Sequence, residues 1–403
     1  MRLKKKMTAN ARDELLAAIR PEYLEARLGE KKVFLDSFVN ATGYCRKYAT
    51  TLLSRGVVHV EQRKERAKKY DQEVLEALIV LWKTGNQICS KRLIPLLPSL
   101  IRKMEKCGHL ELTEEVTEKL LSLSPATMDR LLKAERRKLG KGKSTTRAGS
   151  LLKKHIAIRT FADWNNVKPG FIEADLVAHC GVSTRGQFLN TLTMTDIATG
   201  WTELTALPTK RAEDVLAGVK QVKYFLPFEM LGFDSDNGTE FINHQMVDWC
   251  EANGITFTRS REYRKNDQAH VEEKNGSIVR RMIGYNRYEG GQSCQILHTL
   301  YRLLRLYTNF FQTCVKLVSK ERDGARVYKK YDKAQTPYER VLNSSHVPRE
   351  NKARLRRCYE NLDPLFLLKA IQELEEKLAT TAVKNNTSEL RTLAMAEALD
   401  SVA

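Results

Sequence analysis

The sequence predicts an α/β core, a mixed five-stranded sheet with helices packed on it, preceded by all-α helix-turn-helix domains. Three observations predict this. Hydrophobic periodicity is helical up to about residue 138 and changes to period two at residue 170. Charge is segregated: residues 1–160 carry a net +17, residues 161–290 a net −4 and residues 291–403 a net +6. Finally, carboxylates stand at strand positions that apolar residues would suit better.

The overall balance frames the reading. The 403 residues carry a formal +19, with 42% hydrophobic and 29% charged residues, a composition that excludes collagen-like, mucin-like and wholly disordered chains. So strong a positive charge favours a polyanionic partner, double-stranded DNA first. The eight cysteines contain no C-x-x-C pair, so neither a disulfide framework nor a zinc ribbon is indicated. Apolar runs such as 77–82 and 93–101 fall short of the roughly 20 residues a membrane span needs. The expected location is cytoplasmic and nucleoid-associated, with no membrane partner.

The first domain is expected over residues 1–65. Phe34, Phe38 and Val39 mark one helix, Ala41-Thr42-Gly43 a turn, and Ala49, Leu52 and Leu53 a second helix ending at Gly56. This is helix-turn-helix spacing, and it leaves Arg46, Lys47, Thr50 and Thr51 on the open face of the second helix, as a major-groove reader requires. A second helical DNA-binding domain fills 66–138. Its last helix opens with Ser124 as N-cap and Pro125 at the first position. Met128, Leu131 and Leu132 there leave Arg130, Lys133, Arg136 and Arg137 outward.

From Arg136 to Arg159 stand nine Lys or Arg and no acidic residue. The linker expected over 139–160, with Lys141, Lys143, Arg147, Lys153 and Lys154, is thus a cationic strand able to follow a phosphate backbone.

The core is expected over 161–315. GFIEADLVAHC, GQFLNTLTMTDIATG and WTELTALPT read as a three-stranded antiparallel meander. A helix at 211–226, a strand MLGFDSD, a helix closed by Gly254 and a strand ITFTRS follow. Asp175 falls in the middle of the first strand, Asp236 at the end of the fourth, and Glu272 on a helix after the polar loop REYRKNDQAH. A carboxylate buried in a sheet without a partner is expensive. Three meeting at one sheet end would form an all-oxygen site of the kind Mg²⁺ or Mn²⁺ prefers.

The runs GFIEADLVAH, GFDSDNGTEF and KNDQAHVEEKNGSIVRR, with 35 residues between Asp236 and Glu272, resemble the catalytic core of retroviral integrases and of bacterial insertion-sequence transposases. That resemblance implies a ribonuclease-H-like fold, and it places an Asp-Asp-Glu catalytic and metal triad on Asp175, Asp236 and Glu272. It also implies a DNA transposase that cleaves 3′ ends and transfers strands as a homo-multimer, at least a dimer, on element terminal repeats and target DNA. Two divalent ions could activate the attacking oxygen and stabilise the leaving one. The His-His-Cys-Cys zinc module of integrases has no counterpart, since Cys107 and His109 lack a second pair. An alternative reading is a domesticated or inactive relative acting as a sequence-specific DNA-binding protein.

Smaller expectations attach to neighbours. Asn237 and Gly238 would shape the turn after Asp236, and Asn275 lies one turn beyond Glu272 on its face. Gln268, His270 and Lys274 could touch DNA near the scissile phosphate, while Arg264 and Lys265 suit phosphate contacts in the preceding loop. Gly276 in the Glu272 helix should weaken it or admit a close backbone approach. The helix at 297–312 should cover the sheet. Residues 316–345 form a basic C-terminal segment, and the helical tail, 346–403, carries a stripe of Leu368, Ile371, Leu374 and Leu378 that could join subunits or pack on its own chain.

Overall fold

The computed structural model describes residues 7–55, 69–138, 168–236, 238–259, 269–324 and 326–383. They fall into two compact units, one within Met1–Lys69 and the other within Tyr70–Ala403.

In the first unit, helices α1 (Ala9–Glu25), α2 (Leu28–Thr42) and α3 (Arg46–Arg55) close around Leu16, Leu35, Phe38, Ala49 and Leu53. The turn lies later than Ala41-Thr42-Gly43. Thr42 stays helical because its hydroxyl donates to Phe38 O at 2.6 Å, and α2 ends only at Gly43, whose φ of 72° is left-handed.

The second unit begins with a helical array: α4 (Gln72–Thr84), α5 (Ser90–Lys106), α6 (Glu114–Leu121), α7 (Pro125–Leu131) and α8 (Lys133–Lys138). Asp71, Thr113 and Ser124 cap α4, α6 and α7 through their side-chain oxygens. The single helix expected after Ser124 is two, because Leu132 steps out at ψ 0° with its side chain fully buried.

The core sheet has the order β3-β2-β1-β4-β5. Its strands are β1 (Phe171–Ala178), β2 (Asn190–Asp196), β3 (Thr202–Leu207), β4 (Gly232–Ser235) and β5 (Thr256–Arg259). The first three pair antiparallel, while β4 runs parallel to both β1 and β5. Gly170 starts β1 at φ +121°, where an added Cβ would stand 2.4 Å from Glu229 O, so only glycine serves there. Helices α9 (Ala212–Phe225) and α10 (His244–Ala252) intervene as expected. α11 (Ala269–Lys274) leads, through a π-helical turn at Asn275–Arg280, toward α12 (Gly290–Phe311), which packs on β3.

Beyond the sheet, β6 (Leu317–Asp323) and β7 (Arg326–Tyr331) form a two-stranded antiparallel ribbon, followed by α13 (Pro337–Asn343), α14 (Arg349–Asn361) and α15 (Pro364–Thr380). α15 packs along α12 of its own chain and buries Leu367, Leu368, Ile371 and Leu378.

The helical array packs on this core within the same unit. Lys103 donates to the carbonyls of Tyr359 and Glu360 at 2.8 and 2.9 Å, satisfying the end of α14, and Tyr307 donates its hydroxyl to Thr84 O. No helix among the described residues is long and apolar enough to cross a membrane.

Candidate active site

The register of β1 on β4 builds the site. Ala174 lies beside Ser235, the last paired position of the two parallel strands; Asp175 follows within β1, and Asp236 is the first residue past the end of β4. Such strand ends open onto the crevice where α/β sheets bind ligands. Asp236 Oδ1 accepts from Gly238 N–H at 3.0 Å, which tightens the turn after β4. Asp175 Oδ1 accepts from Leu176 N–H at 2.8 Å and its Oδ2 from the Asn275 side-chain amide at 2.7 Å.

Burial first, and then the negative charges of Asp236 and Glu272, lift the Asp175 carboxyl to a pKa of about 6 against the downward pull of its two hydrogen bonds. The three expected triad members therefore share one electrostatic neighbourhood. The surrounding charges that reach Asp175 are negative, the situation a cation relieves. Among the described residues, however, no three His, Cys, Asp or Glu side chains stand close enough to close around one ion. The donor chemistry fits a hard divalent cation, and the oxygens converge without completing its shell.

Glu173, two residues before Asp175, holds the helix that carries Glu272. It is 2% exposed, and its Oε2 accepts from the backbone N–H groups of both His270 and Val271 at 2.9 Å. Burial raises its pKa to about 8, with Asp234 and Glu272 contributing. Its register partner Asp234 accepts from the Thr258 hydroxyl at 2.7 Å. The sequence alone puts Glu173 on the Asp175 face, as a carboxylate that could in principle substitute for Asp175, and gives no sign of its role in holding α11.

Within α11 the phase is as the spacing requires. Val271 and Ile278 are buried on the sheet side, Glu272 is exposed, and Asn275 reaches Asp175. Gly276 has no atom within 4 Å of the position of an added Cβ, so the close approach expected there does not occur. The chain widens instead into the π turn that begins at Asn275.

Other expected residues are placed as follows. His270 and Lys274 line a cavity together with Glu273, Arg92 and Lys316. Lys274 is buried and pairs with Glu273 at 3.1 Å. On α3, Arg46, Lys47, Thr50 and Thr51 are exposed. Arg46 pairs with Asp36, and the two threonine hydroxyls bond to the carbonyls of Arg46 and Lys47. Arg130, Lys133 and Arg137 are exposed, whereas Arg136 is held by Asp129 at 2.7 Å and lies over the Trp82 ring. His109 pairs with Asp363 at 2.7 Å. Asn237, Lys141, Lys143, Arg147, Lys153, Lys154, Arg264, Lys265 and Gln268 lie outside the described residues, as does the 139–160 linker.

Residues 166–265 match the integrase core domain. The chain is also 44% identical over 338 residues to the uncharacterized protein y4rM of Sinorhizobium fredii (strain NBRC 101917 / NGR234), covering 83% of this chain and 96% of that protein. The chain thus belongs to one family with this relative and contains an integrase core domain, and its sheet is the ribonuclease-H-like one. Among solved structures it is similar to the catalytic core of BIV integrase, at 20% identity over 42% of this chain and 91% of that one, with a TM-score of 0.29. It is likewise similar to the HTLV-2 integrase core solved with magnesium, at 15% identity over 36% of this chain and 90% of that one, with a TM-score of 0.28.

Proposed function

We propose that the protein is a DNA transposase that cuts the 3′ ends of a mobile element and joins them to target DNA. The observation that supports this reading is that the charges of Asp236, just past the last β1–β4 register pair, and of Glu272 both raise the Asp175 pKa. Asp175, Asp236 and Glu272 would hold two divalent ions, Mg²⁺ or Mn²⁺. When bound, such a pair supplies Lewis acidity to the attacking and leaving oxygens of a phosphodiester. The chain's own residues do the rest. Asn275 orients the Asp175 carboxylate, Glu173 fixes the start of α11, and the Asp236 turn keeps that carboxylate at the strand end.

Recognition of element ends is assigned to Arg46, Lys47, Thr50 and Thr51 on α3, with Arg130, Lys133 and Arg137 of the helical array following the backbone. Their basic surroundings give the affinity its phosphate component. Two ends have to be held together for joining, so at least a dimer is expected to act.

The test is cleavage of duplex DNA bearing the element's terminal repeats, with Mg²⁺ or Mn²⁺ and in chelator. Cleavage should require the metal and disappear in Asp175→Asn and Asp236→Asn while DNA binding survives. Binding without cleavage in any metal would favour the alternative of a DNA-binding relative with an idle site. Cleavage in chelator would sink the two-ion reading.

A further inference from the structure

Beside α11, lined by His270, Glu273 and Lys274, lies a cavity of about 300 Å³. Its wall is made by Arg92 of α5, Lys274 of α11, Lys316 at the foot of the ribbon and Lys329 of β7, with Glu273 the acidic residue among them. Four cations thus face one carboxylate, and that carboxylate is already taken by Lys274.

Lys274 is buried and Arg92 and Lys316 are partly buried, while Lys329 stands exposed at the rim. Burial pulls the pKa of Lys316 down. Its ammonium donates to Ala198 O, and the charges of Asp196 and Asp332 reach it without a direct ion pair among the described residues. Arg92 spends its Nε on Thr313 O at 2.5 Å, and its terminal nitrogens have no hydrogen-bond partner among the described residues. A surplus of desolvated positive charge is costly unless an anion completes it.

Position identifies the anion. Thr193 is the register partner of Asp175, and Thr195 that of Glu173, on the same sheet face. Thr195 also lines the cavity, which therefore opens about 7 Å along the strands from the Asp175 level. That is about two base-pair steps of rise along a duplex axis, at roughly 3.4 Å each. From the cavity mouth β7 runs out with every residue exposed, carrying Arg326, Lys329 and Lys330 in an order a polymer could follow. Tyr331, half exposed at the rim, offers a ring on which a base can stack.

We infer that this cavity is a phosphate site for the backbone of the DNA strand engaged at the Asp175 centre, with the β6–β7 ribbon as its continuation. The inference deepens the transposase reading and rests on it for the identity of the strand.

The experiment uses the full chain and a random-sequence duplex oligonucleotide, with affinity measured across a salt series. Lys329→Gln and Arg92→Gln should each lower the slope of log affinity against log salt by about 0.9, and the double variant by about twice that. Lys369→Gln, on the exposed face of α15, should leave it unchanged. Lys329 is exposed and its replacement disturbs no packing, so an unchanged slope in that variant overturns the proposal even if Arg92→Gln misfolds.

Inorganic pyrophosphate, titrated by calorimetry, should bind the wild-type chain, be displaced by the duplex and fail to bind the double variant. Pyrophosphate binding that the duplex does not displace would mean a small free phosphate compound is the ligand, and would overturn the DNA assignment. Metal-dependent cleavage is followed in parallel. Cleavage with an unchanged slope removes the phosphate site alone. A lowered slope without cleavage supports the site and removes the reading of the Asp175 centre.

Discussion

The side-chain amide of Asn275 donates to Asp175 Oδ2 at 2.7 Å, joining the turn after α11 to the central strand β1. The bond fixes one oxygen of a carboxylate whose pKa burial raises to about 6. Asn275→Ala should lower metal-dependent cleavage about 10- to 100-fold, the usual penalty for losing a group that orients a metal ligand. Asn275→Asp should be worse, since a carboxylate would face a carboxylate. Equal activity in all three proteins would show that the amide orients nothing.

Glu173 separates orientation from ligation. Glu173→Gln keeps an oxygen that can accept from His270 and Val271 and should retain partial activity. Glu173→Ala leaves two amides at the start of α11 without their acceptor. We expect it to cleave at least tenfold more slowly, with faster hydrogen exchange at Val271 N–H. Unchanged exchange in the alanine variant would remove Glu173 from any role in holding the helix.

The neighbours on α11 are distinguished by charge partners. Glu273 is engaged with Lys274 at 3.1 Å, whereas Glu272 acts on Asp175 and Glu173. Glu272→Gln should abolish strand transfer, while Glu273→Gln and Asp234→Asn keep at least part of it. The reverse ranking would put the helix in another phase than the one described.

The raised pKa of Asp175 has a sign that stability measurements can read. A carboxyl whose pKa is about 6 in the fold, against an ordinary 3.8, binds its proton more tightly when folded. Its contribution to stability is present below about pH 4 and lost as pH rises through 6. Without divalent metal, the stability of the wild-type chain relative to Asp175→Asn should fall by on the order of 2–3 kcal/mol across that window. Added Mg²⁺ should restore stability at pH 7.5 to the wild type and not to the variant. Parallel pH curves for the two proteins would contradict this account.

The first unit offers a separate test. A fragment of residues 1–69 should melt cooperatively and bind DNA. Arg46→Ala and Lys47→Ala should each reduce its salt slope by about one without changing sequence preference. Failure of the fragment to bind any duplex would move recognition elsewhere in the chain.

Much of this was legible in the sequence because it rests on local pattern. Period-two runs marked the first three core strands, short apolar runs marked the other two, and Ser124-Pro125 marked a helix start. What was not legible depends on long-range contact. Thr42 looks like a turn residue until its hydroxyl is seen bonding to Phe38 O. Glu173 looks redundant until α11 is placed over it. Gly276 signals a weak helix, and only the three-dimensional path reveals a π turn. Lys103 reads as one more surface cation, yet it is 4% exposed because its partners, the carbonyls of Tyr359 and Glu360, lie more than two hundred residues further along the chain.

That docking of Lys103 makes the helical array and the sheet a single caliper. On the proposed function, a duplex gripped by Arg130, Lys133 and Arg137 would be gripped by the same compact unit that carries Asp175. The interval between gripped sequence and severed bond is then a fixed length of protein rather than the reach of a tether. Inserting about five base pairs, roughly half a helical turn, between the two would rotate the scissile phosphate to the far side of the duplex, out of reach of a jaw that cannot swivel.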